Sequence, residues 1–366
     1  MPVFKYYRPN VYFEKAVRYN ELYFSANHEL NDPHDLKAKY YFEDGIGLWK
    51  KLLSLQAPFD TWNINNFIGG SDEALLVGLN DLFKGMQFDS IEGSIKQVVE
   101  NKSKELAELF TSSMRKPISF PVGQEFLKDA PPEYVAQLCK LSLIELLMRA
   151  VNHNFYSVSF SGTALNPMMW AHYAEGFKGC VVIYDVLSEG EIILRQNLFA
   201  KEESEYFFRK VNYLNEEKRI PVLECATGVK DKVQKAFLQK NAFWHYESEF
   251  RLLTVENLDS PRLAIANDKV INNRERVLHH DTNAILGVVF GPRCDSNFKE
   301  KIEHILRDNR LHHDGKPFFT FETELTFDGS VVVNTAYQCL CTNRSQMKRV
   351  FKGDEMNKLL FDLGIH

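Results

Sequence analysis

The sequence predicts a mixed α/β fold of the α+β kind, and three observations support it. Residues 155–161 (FYSVSFS) alternate apolar and serine side chains with a period of two, which is typical of a strand with two different faces. Residues 285–290 form a short apolar run before Gly-Pro, as in a buried strand. Residues 46–150 are mainly helical in pattern, and several prolines divide them. We therefore expect a mixed sheet core with a helical segment beside it.

The first 45 residues read as strand, helix, strand and loop, and we assign residues 1–45 to the N-terminal part of the core. Residues 3–7 predict a strand, and residues 12–17 predict a short helix after a proline. Residues 22–25 form a second extended piece, and Asn31-Asp32-Pro33 is typical of a turn.

The rest of the chain is divided by the same patterns into three parts of one compact unit. Residues 46–150 are interpreted as a helical insertion or cap, and a helix over 135–151 leads back to the core. Residues 151–340 are the expected α/β core. Residues 341–366 are expected to form a C-terminal helix, with a helical pattern from Ser345 onward.

The centre of the chain carries the clearest local signals. Asn166-Pro167 predicts the start of a helix, because asparagine caps helix N-termini and proline suits the first turn. Gly179 can end that helix, and residues 180–184 form an apolar strand. The apolar stripe of the helix consists of Met169, Trp170, Tyr173 and Phe177.

Four more elements are predicted downstream. A helix is expected over 229–244, where Val233, Phe237, Lys240 and Trp244 share one side, followed by an alternating strand over 247–255. A helix over 297–307 and a strand over 318–325 complete the core.

Composition excludes several classes of protein. The net charge is −5, from 44 basic and 49 acidic residues, which argues against a general electrostatic grip on nucleic acid or anionic membrane. The chain shows no signal-peptide pattern and no apolar run near the ~20 residues that a spanning helix needs. The six cysteines show no zinc-knuckle spacing and are expected to be reduced. We expect a cytoplasmic protein without a membrane partner; its oligomeric state stays open.

Two carboxylates and an arginine stand out in the segment ESEFRLLTV. Glu247, Glu249 and Arg251 would share one face of a strand, with the Cα atoms of the two glutamates ~7 Å apart. Paired carboxylates can stabilise developing positive charge or act as acid and base, and the arginine could hold one of them or a phosphate. The alternative is a solvated charged face on an edge strand. The aromatic run before the segment favours a site.

Serine side chains line one face of residues 157–161, and they could bind ribose or amide groups in a polar cleft. Ser159 and Ser161 lack the Gly-x-Ser-x-Gly elbow of a nucleophile, and the alternative is an exposed face of small residues. Arg8 ends the first strand and could clamp a phosphate or ribose, or it is a surface arginine.

The histidines do not predict a metal site. In each of the pairs His279-His280 and His312-His313, the two neighbouring side chains would point to opposite faces of an extended chain and could not bind one metal together. Neither His-Glu-x-x-His nor a Cys/His grid is present. The chain also lacks a glycine-rich phosphate loop. We therefore predict no metal and no Rossmann or ATPase chemistry.

Several short motifs together resemble the bacterial domain-of-unknown-function family 2971, often found near defence and mobile genes. The resemblance spans nearly the whole chain and is weakest over 46–150. Its motifs are Tyr7-Arg8, Leu22 to Ser25, Asn31-Asp32-Pro33 with Asp35, Ser159-Phe160-Ser161, Met169 to Tyr173 with Gly176 to Gly179, Trp244-x-Tyr246-Glu247-x-Glu249-x-Arg251, and Ile285 to Gly291.

A more distant resemblance supplies an activity. The order of an arginine on a first strand, Ser-x-Ser on a second and Glu-x-Glu on a later strand is similar to the Arg–Ser–Glu class of ADP-ribosyltransferases. This resemblance implies an ADP-ribosyltransferase-like sheet core and NAD as substrate, with a protein or nucleic acid as acceptor. It implies a transferase or NAD glycohydrolase that could serve as a toxin or anti-phage effector.

The resemblance also implies roles for individual residues. Arg8 would hold a diphosphate or ribose oxygen, and Ser159 and Ser161 would brace the nicotinamide ribose. Glu249 would stabilise the oxocarbenium-like transition state, and Glu247 would orient or deprotonate the acceptor. The remaining candidates for contact with NAD are Tyr173, Trp170 and Arg251. Two other interpretations stay open: a nucleic-acid-acting or nucleic-acid-binding defence protein, and a non-catalytic nucleotide sensor.

Overall fold

A computed structural model shows a mixed α+β protein, as the sequence predicts. Its centre is a nine-stranded sheet. The structure describes residues 2–32, 34–35, 38–55, 64, 67–68, 72–89, 94–114, 129–150, 153–228, 230–257, 276–311, 318–341 and 348–365.

The large sheet has the strand order β18-β17-β16-β15-β6-β1-β5-β13-β9. Its pairs are antiparallel except that β15 runs parallel to β16. The strands are β1 (Val3–Tyr7), β5 (His153–Ser161), β6 (Cys180–Tyr184), β9 (Arg209–Lys210), β13 (Glu249–Asn257), β15 (Ile285–Phe290), β16 (Phe318–Leu325), β17 (Val331–Cys341) and β18 (Lys348–Val350).

Three smaller sheets surround this core, with the orders β2-β14-β7-β8, β11-β3-β4 and β10-β12. Their strands are β2 (Glu21–Tyr23), β3 (Lys39–Tyr41), β4 (Gln87–Asp89), β7 (Glu191–Arg195), β8 (Ser204–Phe207), β10 (Asn212–Leu214), β11 (Arg219–Pro221), β12 (Gln239–Asn241) and β14 (Val277–His280).

Of the eleven α-helices in the described residues, five lie between β3 and β5 and the other six are spread along the rest of the chain. They are α1 (Val11–Tyr19), α2 (Ile46–Leu53), α3 (Glu73–Phe83), α4 (Ser94–Glu100), α5 (Ser103–Ser112), α6 (Pro132–Met148), α7 (Pro167–Tyr173), α8 (Val222–Ala226), α9 (Lys230–Phe237), α10 (Ser296–Leu311) and α11 (Asp354–Asp362). Among the described residues, no helix combines the length and the apolar character that a bilayer crossing requires.

Hydrophobic side chains form three buried clusters. One cluster joins α2 to α6 with α8 and α9, and the other two lie on opposite faces of the large sheet. Strand β5 belongs to two of them. Phe155 packs in the helical cluster, with 4.1 Å between the centres of its ring and that of Phe237, whereas Tyr156, Val158 and Phe160 pack in a sheet cluster. The apolar face predicted for this strand is therefore confirmed.

Local capping signals give the start of α7 correctly. The Asn166 side chain accepts hydrogen bonds from the backbone N–H groups of Met168 and Met169, and Pro167 occupies the first turn. The strand predicted over 318–325 is confirmed without any shift. The side chains of four cysteines are described as free thiols, Cys139, Cys180, Cys225 and Cys294.

Two predicted helices are wrong in part. The helix expected over 229–244 ends at Phe237, because the chain turns into β12, which pairs in parallel with β10, and then into a short 3-10 helix over Ala242–Glu247. The C-terminal helix expected from Ser345 begins only at Asp354, because Lys348–Val350 pairs with β17 as a strand.

Candidate functional site

A polar cleft of about 200 Å³ lies where β1 and β5 separate. The two strands share one registered pair, Phe4 with Ser161, and the loop residue Ser25 takes over as the backbone partner of Ser157. The polar lining of the cleft consists of Lys5, Tyr6, Tyr23, Ser25, Glu29, Asn31, Asp32, Asp35, Ser157, Ser159, Ser161, Tyr173, Lys240, Glu247 and Glu249.

The register between β5 and β13 places the serine face beside the charged face. Glu249 lies opposite Ser161, and Arg251 lies opposite Ser159. Residues opposite each other in an antiparallel pair project to the same face, so one surface carries both sets. The Ser159 hydroxyl hydrogen-bonds the Glu249 carboxylate.

Glu247 reaches the same place by a different route from the one predicted. It is the last residue of the 3-10 helix and not part of β13, which begins at Glu249. Between them Ser248 adopts a left-handed conformation with φ of 45°, and its carbonyl accepts the N–H of Gly162. The left-handed turn at Ser248, and not the alternation of a strand, brings the carboxyl groups of Glu247 and Glu249 together.

Arg251 holds the floor of the cleft. Its guanidinium is fully buried and donates to both oxygens of Glu249 at 2.7 and 3.0 Å and to both oxygens of Asp35 at 2.9 and 2.5 Å. It also donates to the carbonyl of Phe237 at 2.9 Å. A planar fork shared by two carboxylates fixes them rigidly.

Lys240 links all three carboxylates of the floor. Its ammonium lies 2.6 Å from a Glu247 oxygen, 3.2 Å from a Glu249 oxygen and 3.5 Å from an Asp35 oxygen. The same nitrogen lies 5.0 Å from the ring centre of Trp244, in a cation–π contact. A side chain on β12 therefore balances charges from three separate segments.

The two glutamates are perturbed in opposite directions. Burial acts to raise the pKa of Glu249, but Arg251 and Lys240 outweigh it and hold that pKa at about 2. For Glu247, burial is the largest effect, and together with the neighbouring Glu249 it raises the pKa above its usual value although Lys240 opposes the change. One carboxyl is thus firmly ionised, and the other takes a proton more readily.

Tyr173 connects helix α7 to Glu247. Its hydroxyl donates to the other oxygen of Glu247 at 2.5 Å, and burial, with Glu247 beside it, raises the pKa of the phenol well above its usual value. The cap residue Asn166 donates from its side chain to the carbonyl of Tyr246 at 2.9 Å, so both ends of α7 are tied to the 3-10 helix. The phenol is therefore a neutral hydrogen-bond donor at the cleft.

The structure brings together five of the predicted site residues. Glu247, Glu249, Ser159, Ser161 and Tyr173 all line the cleft. Ser161 donates its hydroxyl to the carbonyl of Glu247 at 2.7 Å, so it supports the 3-10 helix as well.

Three other predicted residues take different positions. Arg251 lies behind the lining and holds the carboxylates. Arg8 is exposed and lies outside the lining residues of the cleft. Trp170 is fully buried, donates to the carbonyl of Ala164 at 2.9 Å and packs edge-on against Tyr6, so it belongs to the core.

Sequence reasoning did not assign Lys5, Asp35 or Lys240 to the site. Asp35 lies two residues after the Asn31-Asp32-Pro33 turn in the same family motif, and this position is a signal that could have identified it. The sequence pattern places Lys240 on the apolar side of the helix predicted over 229–244, but that helix ends at Phe237. Nothing in the alternation of β1 distinguishes Lys5 from a surface lysine.

The segment 169–252 matches a family described as "Protein of unknown function (DUF2971)". This match covers α7 from Met169 onward and the charged start of β13, and it supports the family resemblance there. Neither the curated proteins nor the solved structures gave a match to the chain. Within the described residues, no group of histidine, cysteine and acidic side chains is arranged to hold a metal ion.

Proposed function

We propose that the cleft cleaves the N-glycosidic bond of NAD and transfers the ADP-ribosyl group, with a fold of the ADP-ribosyltransferase kind. The observation that carries the proposal is a pair of glutamates that line one cleft and share the ammonium of Lys240, which lies 2.6 Å from Glu247 and 3.2 Å from Glu249. Their pKa values are shifted in opposite directions, which supports it. Environments that separate the pKa values of two neighbouring carboxyl groups commonly assign them different catalytic roles.

The chemistry of the reaction suits this pair. When nicotinamide leaves, positive charge develops on the ribose, and an ionised carboxylate in a poorly solvated cleft stabilises it. Glu249 is ionised at neutral pH and lines the cleft. A carboxylate has about four acceptor positions, and in Glu249 Arg251 occupies two, Lys240 one and the Ser159 hydroxyl the fourth. A ribose hydroxyl would therefore bind Glu249 by taking the place of the Ser159 hydroxyl.

Glu247 takes the second role in this proposal. Its raised pKa makes it a better base than an ordinary glutamate, which suits the removal of a proton from the acceptor. Tyr173 and Lys240 hold one oxygen each and fix its orientation. The hydroxyl of Ser159 faces the same cleft and suits contact with the ribose. The proposal gives Arg8 no role in binding the substrate, because Arg8 is not among the residues that line the cleft.

The test is nicotinamide release from NAD by purified protein, with cell lysate as the source of acceptors. We expect Glu249→Gln to lower the rate by ~10²–10³, the usual cost of losing a group that stabilises transition-state charge. Glu322→Gln is the matched control, because Glu322 pairs with Lys299 on the surface of β16. Circular dichroism checks that each variant is folded. If the wild type releases no nicotinamide with lysate present, the proposal fails.

A second candidate is a nucleotide-binding protein without turnover. The observation that favours it is the saturation of the floor, where Asp35, Glu249 and Glu247 are all paired with Arg251 or Lys240. Such a network gives rigidity without requiring catalysis. Binding of NAD by calorimetry without release of nicotinamide would select this candidate.

A further inference from the structure

Where β1 separates from β5, one wall of the cleft carries polar groups that do not bond to the network of Asp35, Glu247, Glu249, Lys240 and Arg251. Beyond the pair Phe4–Ser161, the backbone of Ser157 exchanges hydrogen bonds with Ser25 at 3.0 and 2.8 Å and not with β1. The side chain of Lys5 reaches across this gap and donates to the carbonyl of Ser159 at 3.0 Å.

In the part of the chain that the structure describes, Lys5 is a cation without an ion-pair partner. Among the described residues, no carboxylate lies within 4.0 Å of its ammonium, whereas Lys240 and Arg251 are fully engaged with acids. The nitrogen lies 5.5 Å from the ring centre of Tyr7 and 5.3 Å from that of Phe160. Burial lowers the pKa of Lys5 to about 8, against the opposing pull of Glu249, so the ammonium still predominates at pH 7.

Ser157 supplies an independent observation on the same wall. Its side chain is only 2% exposed, and its hydroxyl oxygen has no hydrogen-bond partner in the part of the chain that the structure describes. A buried hydroxyl without a partner costs free energy, and such a group in a cleft is commonly satisfied by a ligand. It lines the cleft two residues along β5 from the carbonyl that Lys5 contacts.

We propose that Lys5 and Ser157 bind a phosphate group of the nucleotide substrate, at the opposite end of the serine face from Glu247. This inference rests on the proposed function and names what the cleft recognises: a phosphorylated sugar, and not a free nucleoside. The Lys5 ammonium has three N–H donors, of which the carbonyl of Ser159 takes one, and the Ser157 hydroxyl adds a further donor. A phosphate, with several acceptor oxygens and negative charge, satisfies both groups.

The role assigned here differs from the one that the resemblance implies. There, an arginine at the end of the first strand holds a diphosphate or ribose oxygen, but Arg8 is exposed and outside the cleft. Lys5, on the strand that Arg8 directly follows, lines the cleft. The proposed phosphate contact therefore lies three residues earlier in the chain than the resemblance implies, on β1.

The experiment measures binding of ADP-ribose and adenosine by calorimetry at pH 7. We expect Lys5→Met to weaken ADP-ribose binding by about 10–100-fold, as for the loss of a charge-assisted hydrogen bond. Ser157→Ala should weaken it by about 3–10-fold without lowering the melting temperature, because it removes a hydroxyl that has no protein partner. Adenosine binding should be unchanged in both variants, and Lys51→Met, on the exposed face of α2, is the control.

The pH dependence gives a second readout. Each phosphate in the diphosphate of ADP-ribose has one strongly acidic hydroxyl and keeps its single charge from pH 7 to 9. Binding should therefore weaken over this range as Lys5 loses its proton, and Lys5→Met should abolish that change. The groups that face Lys5 do not titrate there: Glu249 is ionised, and burial raises the pKa of Tyr7 and of its partner Tyr184 well above their usual value.

The outcomes separate this inference from the proposed reaction. Binding of ADP-ribose that depends on Lys5, without nicotinamide release, supports the phosphate site and overturns only the cleavage. Nicotinamide release and ADP-ribose binding that are unchanged in Lys5→Met and Ser157→Ala overturn the phosphate site and leave the cleavage standing. Equal loss of adenosine and ADP-ribose binding would also overturn it, because the two residues would then not act on phosphate.

Discussion

Arg251 shows how much of this site depends on a single side chain. It is fully buried and neutralises two carboxylates that come from distant parts of the chain, Asp35 and Glu249. Breaking a buried ion pair from one side leaves an uncompensated charge, which typically costs about 3–5 kcal/mol. We expect Arg251→Met to lower the free energy of unfolding in urea by that amount.

The control for Arg251→Met is Arg195→Met. Arg195 also pairs with a carboxylate, Glu203, but both side chains are exposed, so the loss should stay below about 1 kcal/mol. Similar losses in the two variants would show that the buried network contributes no more than a surface pair does.

The depressed pKa of Glu249 makes stability depend on pH in a defined direction. Its pKa falls from an ordinary 4.5 to about 2 in the folded protein. The stabilisation is therefore complete above pH ~4.5 and is lost progressively as the pH falls toward 2; at ~1.4 kcal/mol per pKa unit it amounts to about 3 kcal/mol. We expect Glu249→Gln to lose less stability than the wild type between pH 5 and 3 in urea unfolding. An unchanged pH dependence would contradict the assignment.

At the scale of elements, the turn between α7 and β6 locks the helix of the site against β1. A Cβ on Gly179 would lie 2.0 Å from the carbonyl oxygen of Tyr7, which is backbone and cannot move aside cheaply. We expect Gly179→Ala to destabilise the protein by about 3 kcal/mol or more. Gly47→Ala is the matched control: no atom of the described residues lies within 4 Å of its Cβ position, and in α2 alanine should stabilise by about 0.5–1 kcal/mol. Equal melting temperatures for the two variants would refute this contact.

The same scale shows which elements the sequence could predict. The start of α7 was predictable because Asn166 and Pro167 act on their own first turn. The end of α9 was not, because Val233, Phe237, Lys240 and Trp244 keep helical spacing although the chain leaves the helix at Phe237. Pairing of β12 with β10 overrides that periodicity, and no local pattern reports a partner that lies 27 positions earlier.

The site as a whole was predictable only in part, for the same physical reason. Glu249 and the serines follow from alternation along single strands. Asp35 meets Arg251 across 216 positions of sequence, and Lys5 meets Ser159 across 154, so only the folded chain brings them together. The Glu247–Glu249 pair was expected from strand spacing, but the left-handed Ser248 produces it.

At the scale of the whole molecule, β5 joins the helical cluster to the sheet. Phe155 packs among the helices, while Tyr156, Val158 and Phe160 pack in a sheet cluster, and the cleft lies along the same strand. Because one strand belongs to both clusters, we expect them to unfold together, as one compact unit. In hydrogen exchange at increasing urea, α6 and β6 should lose protection at the same concentration.

The matched comparison for this prediction is Phe155→Ala, which removes the shared aromatic contact with Phe237 while leaving the rest of β5 unchanged. It should cost about 3–5 kcal/mol and should lower the protection of α6 and β6 together, since a cooperative unit loses stability as a whole. If α6 instead opened at lower urea than β6 in the wild type, the helices would be a separate folding unit. The cleft would then lie at the edge of a sheet that is stable without them.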